Sequence, residues 1–363
     1  MSKAAELAKI GEVATNSQIG GRRNIVINGA MQVAQRGTSS TGLGANGDAF
    51  LLDRFRVSAS STAGRYTMTQ TADGPSGFAN CLKIACTTAD TSIAAGENLV
   101  LVQGLEGQDL QQFKKGTSDA EKFTVSFYVK GHDAATYTFE MFDGDNTRQV
   151  SQTFSVTTDW TRVILTFPAD TTGAFGDDNG ASLYLQICLH AGSTFTSGTL
   201  NTSWASNTNA NRYSSDQNSI FESTSATFSI TGFQFEVGSQ ATPFEHRSFG
   251  EELALCQRYY FQKINGDGQP VGIGSYISSG QIRTYIDFPV EMRANPSIVT
   301  SSGTAHFNLE NPADDFDGGW VIVQINKTSA VPYATGSVSG TTSYSGIIRS
   351  KSADSRLAFN SEL

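Results

Sequence analysis

Hydrophobic and polar residues alternate along much of this chain, which is the pattern of strands with one buried face. Four runs show it most clearly: Phe123, Val125, Phe127 and Val129; Tyr137, Phe139 and Met141; Val163, Leu165 and Phe167; Leu183, Leu185, Ile187 and Leu189. Clusters of Gly, Asn and Asp at 143–146 and 176–180 separate the runs, as turns do. The pattern predicts an all-β fold, an antiparallel β-sandwich whose two sheets share one core.

The segment 226–237 changes the phase of its alternation. Its apolar positions are even (Ala226, Phe228, Ile230) and then odd (Phe233, Phe235, Val237), with the switch at Gly232. A β-bulge inserts one residue and would keep both halves facing the core. We therefore predict a bulge at Gly232.

A short helix is predicted at the N-terminus. Ala4, Leu7 and Ala8 have i, i+3, i+4 spacing, and Gly11 ends the pattern. So short a helix is not stable alone in water and must dock on a partner, another copy or its own domain. The alternative is a frayed, disordered terminus.

A second helix is predicted over 248–261, where Ser248 and Glu251 have the spacing of a capping box. Beyond it, alternation resumes in two runs: Ile282, Thr284, Ile286 and Phe288; Val321, Val323 and Ile325. The chain thus divides into an N-terminal segment (1–22), a sandwich (23–247), a linking helix (248–261) and a smaller C-terminal β domain (262–363).

Residues 191–219 form a polar stretch with no period, rich in Ser, Thr and Asn, that contains Phe195, Trp204 and Tyr213. Long loops on rigid scaffolds often carry recognition, and aromatic rings among hydrogen-bonding groups suit a sugar. Trp204 and Tyr213 are therefore the candidate ligand-binding residues. The alternative is that these aromatics hold the loop against its own sheet.

Charge and composition exclude several classes of function. The net charge is −9 and the basic residues are scattered, so no stripe exists to bind a nucleic-acid backbone. No apolar run is long enough to span a bilayer, and no signal peptide precedes the first strand. Cys81, Cys86, Cys188 and Cys256 are expected to be buried free thiols rather than two disulfides, which suits folding in a reducing cytoplasm.

Catalytic motifs are missing from the sequence. The four histidines (His132, His190, His246, His306) are far apart, and no zinc-protease, nucleophile-elbow or P-loop pattern occurs. Residues 42–47 match G-x-G-x-x-G but follow a Ser/Thr tract instead of a strand, so we expect a mobile loop there. The sequence predicts a protein that is not an enzyme.

Carboxylates cluster at three places: Asp143 with Asp145, Asp177 with Asp178, and Asp314 with Asp315 and Asp317. Such groups can bind calcium or hydrolyse glycosides. All three lie in Gly- and Asn-containing turns, whereas a glycosidase acid is expected inside an apolar strand where burial raises its pKa. No cofactor is expected, and structural calcium remains the alternative.

Two segments carry a resemblance to a known family. The first is Arg23-Asn24-Ile25-Val26-Ile27-Asn28-Gly29-Ala30-Met31-Gln32-Val33-Ala34-Gln35-Arg36-Gly37-Thr38 with Leu52-Asp53-Arg54-Phe55, and the second joins 232–238, 241–247 and 251–260. Together they bracket 23–261 and resemble phage virion structural proteins, of tail-fibre or capsid-fibre type, that contain a carbohydrate-binding-module-like jelly roll. The motif residues are expected to be scaffold, and the segment after 262 carries no resemblance.

The resemblance implies a virion protein, made in the host cytoplasm, that forms a fibre or surface appendage. Residues 1–22, with Ala4, Leu7 and Ala8, would anchor it to other virion proteins, and 262–363 would form the tip. Because fibres are often trimers, a homotrimer is expected, and host cell-surface glycan is the expected ligand. The alternatives are a tail polysaccharide depolymerase and a structural decoration protein without a ligand.

Overall fold

The computed structural model describes Lys3, residues 23–310 and residues 313–363. The predicted N-terminal helix, with Ala4, Leu7 and Ala8, lies outside the described residues. The chain divides into two compact units, Met1–Ser248 (unit 1) and Phe249–Leu363 (unit 2). Both consist mainly of antiparallel strands, so the predicted all-β class is confirmed.

Unit 1 contains most of the regular structure that the alternation predicts. Its strands are β1 (Ser39–Phe50), β2 (Arg56–Thr71), β3 (Cys81–Thr88), β4 (Asn98–Glu106), β5 (Phe123–Gly131), β6 (Ala135–Asp143), β7 (Arg148–Val156), β8 (Thr161–Phe167), β9 (Ala181–Ala191), β10 (Ala205–Ser206) and β11 (Thr227–Val237). Within residues 23–248, a short helix, α1, spans Ser193–Thr196, and 3-10 turns lie at Gly107–Asp109, Gln111–Phe113 and Asn209–Asn211.

The strands of unit 1 form one continuous hydrogen-bonded sheet that folds into two layers, sheet A and sheet B, which share β2. Sheet A has the order β10-β7-β6-β9-β4-β2 and sheet B the order β2-β3-β11-β5-β8, with β1 paired along β2. Residues 56–60 of β2 pair with β4, and residues 65–71 pair with β3. Ser61, between these halves, has a φ of 55°, a left-handed conformation that redirects the strand. One strand therefore borders both layers of the sandwich.

The core of unit 1 lies between the two sheets and is rich in aromatic rings. Phe127 of sheet B stacks on Phe139 of sheet A at a centroid distance of 5.9 Å and on Phe233 at 5.3 Å. All three are buried in one continuous apolar cluster. The inward positions of the runs at 123–129, 137–141, 163–167 and 183–189 belong to this cluster, as the alternation predicts.

The predicted bulge at Gly232 is confirmed. The pairing of β11 with β5 shifts register between Thr231 and Gln234, and Gly232 has a φ of 63°. Phe228 on one side and Phe235 on the other both point into the core. The extra residue thus keeps the aromatic side chains of the whole strand on one face.

The prediction of a mobile loop at 42–47 is wrong, because these residues lie inside β1. The strand pairs with β2 from Ser39↔Thr69 to Phe50↔Arg56, with register shifts in its middle. Gly44 has a φ of 125°, and Gly64 O would lie 2.6 Å from any Cβ added there. The glycines therefore allow an irregular edge strand to follow β2 where it passes between the sheets.

Residues 23–38 and 52–55, the first of the two motifs described above, fold into a buried hydrogen-bonded cap. Asn28, with a φ of 61°, donates from Nδ2 to Val33 O (2.9 Å) and Asp53 O (3.0 Å). Its Oδ1 accepts from the backbone N–H groups of Gln32 and Val33. Asp53 Oδ1 in turn accepts from Arg36 Nη1 at 3.0 Å. These polar residues satisfy backbone groups in the interior, which is a structural task.

The second motif closes the sandwich against the first. Glu245 Oε2 accepts hydrogen bonds from the N–H groups of Arg23 (3.0 Å) and Asn24 (2.6 Å). Arg247 Nη1 donates to Val26 O at 3.0 Å. The two motifs, more than 200 residues apart in sequence, are therefore hydrogen-bonded to each other in the fold.

Unit 2 begins with helix α2 (Phe249–Gln257), which starts directly after Ser248, as the capping-box spacing predicts. The helix is shorter than the predicted 248–261, because Tyr260 and Phe261 already belong to a strand. Its strands are β12 (Tyr260–Asn265), β13 (Pro270–Ser278), β14 (Gln281–Thr284), β15 (Ile286–Asp287), β16 (Ser297–Thr300), β17 (Phe307–Glu310), β18 (Ala313–Phe316), β19 (Val321–Ile325), β20 (Ser329–Ala334), β21 (Ser345–Ser350) and β22 (Arg356–Asn360). They form one sheet of order β12-β22-β16 and another of order β15-β20-β14-β13-β21-β17-β18, with β19 beside β20. Phe307, Phe316 and Trp320 lie at the centre of its own core.

No helix in the described residues, α1 and α2 included, is long and apolar enough to cross a bilayer. All four cysteines are buried free thiols.

Candidate functional site

The outward face of sheet A carries the candidate site. In one row across the sheet, Arg56 of β2 lies beside Val102 of β4, Val102 beside Gln186 of β9, and Gln186 beside Glu140 of β6. These residues alternate with the core residues of the same strands, so their side chains point away from the core. A mixed polar and apolar row thereby lies on the outward face of the sheet, with Arg56 partly exposed and Val102, Gln186 and Glu140 buried.

The chain between β9 and β11 folds over part of this face and leaves a cleft of about 270 Å³. The cleft has a floor of sheet residues and a wall from residues 195 and 212–213. Its lining residues are Arg56, Ser58, Ser60, Asn98, Val100, Val102, Gln186, Phe195, Arg212 and Tyr213. Hydroxyl, amide and guanidinium groups therefore surround a small apolar floor.

Arg212 is held in place by a bidentate ion pair with Glu140. Arg212 Nη2 lies 2.7 Å from Glu140 Oε2, and Arg212 Nε lies 3.0 Å from Glu140 Oε1. Gln186 Oε1 accepts a further hydrogen bond from Nη2 at 3.3 Å. The guanidinium also lies over the rings of Tyr213 (5.1 Å) and Phe142 (5.7 Å). A fork–fork pair fixes the orientation of the guanidinium plane in the cleft.

Glu140 lies inside the apolar strand β6 and has no exposed surface. Burial raises the pKa of its carboxyl group above the ordinary value, while the charge and hydrogen bonds of Arg212 act in the opposite direction. Burial also raises the pKa of the Tyr213 hydroxyl well above its ordinary value, so this group stays protonated. The cleft can offer hydrogen bonds from the guanidinium of Arg212, whereas Glu140 does not line it and is already paired with Arg212.

Aromatic rings border the same face. Phe195 of α1 is partly exposed in the cleft wall, and its ring lies 6.2 Å from that of Tyr213. Tyr184 of β9 and Phe142 of β6, both partly exposed, lie side by side with a centroid distance of 6.2 Å. Arg56 lies over the Tyr184 ring at 5.8 Å. The outer face of sheet A thus combines ring surfaces with hydrogen-bonding groups.

The structure separates the two aromatic residues that the sequence nominates. Tyr213 lines the cleft, but its side chain is fully buried and offers no open ring surface. Trp204 is not among the lining residues; its Nε1 donates to Pro168 O at 2.9 Å and its ring packs on Phe123 at 5.6 Å. In the described conformation Trp204 holds the loop against the sandwich edge.

Sequence reasoning missed the polar lining of the cleft. Ser58, Ser60 and Asn98 occupy outward positions of strands, where polar residues are expected in any sandwich. Glu140 carried the available signal, because a carboxylate between Phe139 and Met141 in an apolar strand needs a partner. That partner, Arg212, is 72 residues away in sequence.

The carboxylate clusters of the sequence are occupied by donors of the chain itself. Asp143 Oδ2 lies 2.6 Å from Lys115 Nζ, Asp145 Oδ2 accepts from Gly176 N, and Asp178 Oδ1 accepts from Gly180 N. In unit 2, Asp314 Oδ2 accepts from Tyr276 Oη at 2.6 Å and Asp315 forms an ion pair with Lys351. Asp143, Asp145, Asp178, Asp314 and Asp315 thus each have a structural partner, while Asp177 is exposed.

Comparison with known proteins finds no matching family model and no matching curated protein. Solved structures with partial similarity include the CBM22-1 xylan-binding domain of Xyn10C from Paenibacillus barcinonensis, at 14% identity over 61% of this chain and 100% of that one, with a TM-score of 0.28. The family 11 carbohydrate-binding module from Clostridium thermocellum shows 8% identity over 57% and 99%, with a TM-score of 0.29.

A third similar structure is the enzymatically active domain of tailspike protein 4 of bacteriophage CBA120, at 11% identity over 59% of this chain and 21% of that one, with a TM-score of 0.30. At scores this low, none of the three establishes a shared ligand or activity. The all-β class of the chain follows from its own strands and their pairing.

Proposed function

We propose that unit 1 binds a carbohydrate in the cleft on sheet A, and that the chain is a non-enzymatic structural component of a phage virion, a fibre or appendage that displays this unit for attachment to the host surface. The cleft carries the proposal. It brings the oriented guanidinium of Arg212, the hydroxyls of Ser58 and Ser60 and the partly exposed ring of Phe195 to one open surface.

A sugar ring presents hydroxyl groups around its edge and C–H groups on its face. The sugar hydroxyls can form hydrogen bonds with the amide of Asn98 and the guanidinium of Arg212. The C–H groups can pack against Val100 and Phe195. A volume of about 270 Å³ is near the lower limit for small-molecule sites, which favours a short segment of a polysaccharide chain. The remaining rings, Tyr184 and Phe142, extend the face beyond the cleft.

A blocking variant tests the carbohydrate site. Ser60→Trp places a large ring in the cleft from an exposed position on β2, whereas Ser155→Trp makes the same change at an exposed position on β7 outside the lining. Binding to host cell-surface polysaccharide and to a glycan array should be lost in Ser60→Trp and kept in Ser155→Trp, with equal melting temperatures. Equal binding by both variants would exclude the cleft.

The virion part of the proposal rests on the two resemblance motifs, which the fold brings together at the closure of unit 1. Intact phage particles labelled with an antibody against residues 262–363 and viewed by electron microscopy test it. Label on tail or head projections is the expected result. Unlabelled particles, with the protein free in the lysate, would overturn the virion assignment.

The depolymerase alternative is favoured by one observation, the burial of Glu140 inside an apolar strand with a raised pKa. Glycoside hydrolysis generally needs a second carboxyl group across the scissile bond, and the described lining of the cleft contains none. Long incubation with host polysaccharide should therefore release no new reducing ends. Reducing ends that vanish in Glu140→Gln would establish the enzyme instead.

Self-association through unit 2 is part of the proposal, with a homotrimer as the expected state. Ile273 of β13 and Ile347 of β21 are paired neighbours with exposed fractions of 72% and 50%. Contiguous exposed apolar surface marks sites that another chain covers, and we infer that this pair belongs to such a surface. Light scattering of the full-length chain should give three times the monomer mass, and Ile273→Lys should lower it. A monomeric wild type would count against the fibre.

A further inference from the structure

Three side chains that could hold a metal ion meet at one end of unit 1, outside the lining of the cleft. Asp90 and Glu97 lie in the connection between β3 and β4, and His190 lies near the end of β9. One ligand atom from each lies within 4.8 Å of the other two. All three are more than nine-tenths buried, with exposed fractions of 8%, 4% and 0%.

The imidazole of His190 is fixed from both sides. Its Nδ1 lies 2.7 Å from Ser219 Oγ, and its Nε2 lies 2.9 Å from Glu97 Oε2. The ring of Phe221 packs edge-on against it at 5.1 Å. In metal-binding histidines a hydrogen bond to one ring nitrogen commonly orients the other nitrogen, and Ser219 makes such a contact with Nδ1 of His190.

Asp90 supplies the independent observation. Its Oδ1 accepts a hydrogen bond from Ser92 N at 3.1 Å, but its Oδ2 is buried and has no hydrogen-bond partner within the part of the chain that the structure describes. A buried carboxylate oxygen without a partner is unfavourable by itself. The hydrogen bond between His190 and Glu97 still leaves this oxygen of Asp90 without a donor.

We propose that Asp90, Glu97 and His190 bind one divalent metal ion, for which Zn²⁺ is the best match. Two carboxylates and a neutral imidazole carry two negative charges, which a divalent ion neutralises, and imidazole favours zinc over calcium or magnesium. Ligand atoms bound tetrahedrally to one zinc ion at about 2.0–2.2 Å lie roughly 3.4 Å apart. Side chains whose ligand atoms lie within 4.8 Å reach this spacing by small rotations.

The site would also brace one wall of the cleft. Gly192 N donates to Glu97 O at 2.8 Å, and Thr194 N donates to Ala95 O at 3.0 Å, so the loop that carries Glu97 is joined to the start of the segment that carries Phe195. Asn98, next to Glu97, lines the cleft itself. Metal binding at these three residues does not depend on sugar binding in the cleft, because the experiment below measures bound metal directly.

The test is a calorimetric titration of the metal-stripped, full-length chain with Zn²⁺. Metal analysis after dialysis then measures how much zinc stays bound. The wild type should bind one tight equivalent, and Asp90→Asn should bind it at least about 10-fold more weakly. Asp177→Asn, at an exposed carboxylate, and His132→Ala, at an exposed histidine, should bind like the wild type. Circular dichroism in EDTA establishes that Asp90→Asn is folded.

A second readout keeps the test decisive if Asp90→Asn fails to fold. Co²⁺ added to the stripped wild type should give visible d–d absorption bands of low-symmetry coordination, which excess Zn²⁺ should abolish. Loss of zinc binding in His132→Ala, or equal affinity in Asp90→Asn and the wild type, would mean adventitious surface binding. No bound zinc and no cobalt spectrum in the wild type would overturn the proposal.

Discussion

Lys115 Nζ lies 2.6 Å from Asp143 Oδ2, and neither side chain has any exposed surface. Asp170 Oδ2 lies 3.1 Å from the same nitrogen, and the carbonyl oxygens of Thr172 and Gly173 accept hydrogen bonds from it at 2.9 and 2.7 Å. Four oxygen atoms thus surround one ammonium group. The chain supplies its own cation where a calcium-binding loop would hold an ion.

Replacing Lys115 should destabilise unit 1 strongly. Lys115→Met leaves Asp143 and Asp170 buried without their shared cation, and breaking a buried pair in this way costs about 3–5 kcal/mol. The adjacent Lys114 pairs with Glu121 on the surface, so Lys114→Met should change the free energy of unfolding by less than about 1 kcal/mol. Urea unfolding of both variants measures the difference, and equal stabilities would refute the buried network.

Asp170 should make unit 1 sensitive to acid. Burial acts to raise its pKa, but hydrogen bonds from Arg148 and Lys115 lower it more, so the folded pKa lies below the ordinary value. The stabilisation from a lowered carboxyl pKa is complete above the unfolded value of about 3.9 and is lost as the pH falls through the folded pKa.

The wild type should accordingly be more stable than Asp170→Asn by a constant amount at neutral pH, and the difference should shrink below about pH 4. Urea titrations of both proteins between neutral pH and pH 3 provide the comparison. A difference that stays constant to the lowest pH would show that Asp170 keeps its ordinary pKa.

Trp204 should matter for stability and not for glycan affinity. Its ring packs on Phe123 and its Nε1 donates to Pro168 O, so Trp204→Ala should lower the free energy of unfolding by about 2 kcal/mol. Trp204→Phe keeps most of the packing and should lose about half as much. Weakened glycan binding in Trp204→Ala at an unchanged melting temperature would show instead that Trp204 contacts the ligand.

Gly232 should tolerate no side chain. Its φ of 63° is a left-handed conformation, and an added Cβ would lie 2.8 Å from both Phe78 Cζ and Tyr128 Cδ2. Gly232→Ala should therefore cost about 1–3 kcal/mol, measured by thermal and urea unfolding. Gly250→Ala, where a Cβ meets no atom within 4 Å, is the matched control. Equal stability of the two variants would contradict the bulge.

The sequence predicts the strands well because alternation is local. The bulge at Gly232 could be predicted from the change in alternation, because a strand with one buried face must keep its aromatic side chains on that face. Residues 42–47 could not be read in this way, because β1 is an edge strand whose side chains are exposed or only partly buried. Exposed edge strands lack the apolar signal on which such predictions depend.

The candidate sites could not be predicted because they depend on pairing between distant strands. Glu140 and Arg212 meet only because the chain after β9 folds back over sheet A. His190 lies 93 residues from Glu97, so its sequence surroundings give no sign of a ligand set. Tyr213 and Trp204 looked alike in the sequence, yet one lines a cleft and the other anchors a loop.

The path of β2 through both sheets has a mechanical consequence. Because residues 56–60 pair with β4 and residues 65–71 pair with β3, a force that pulls β4 away from β3 acts along the backbone of β2. The two layers cannot slide apart unless one half of β2 loses its hydrogen bonds. Unit 1 should thus yield under tension in one abrupt event rather than layer by layer.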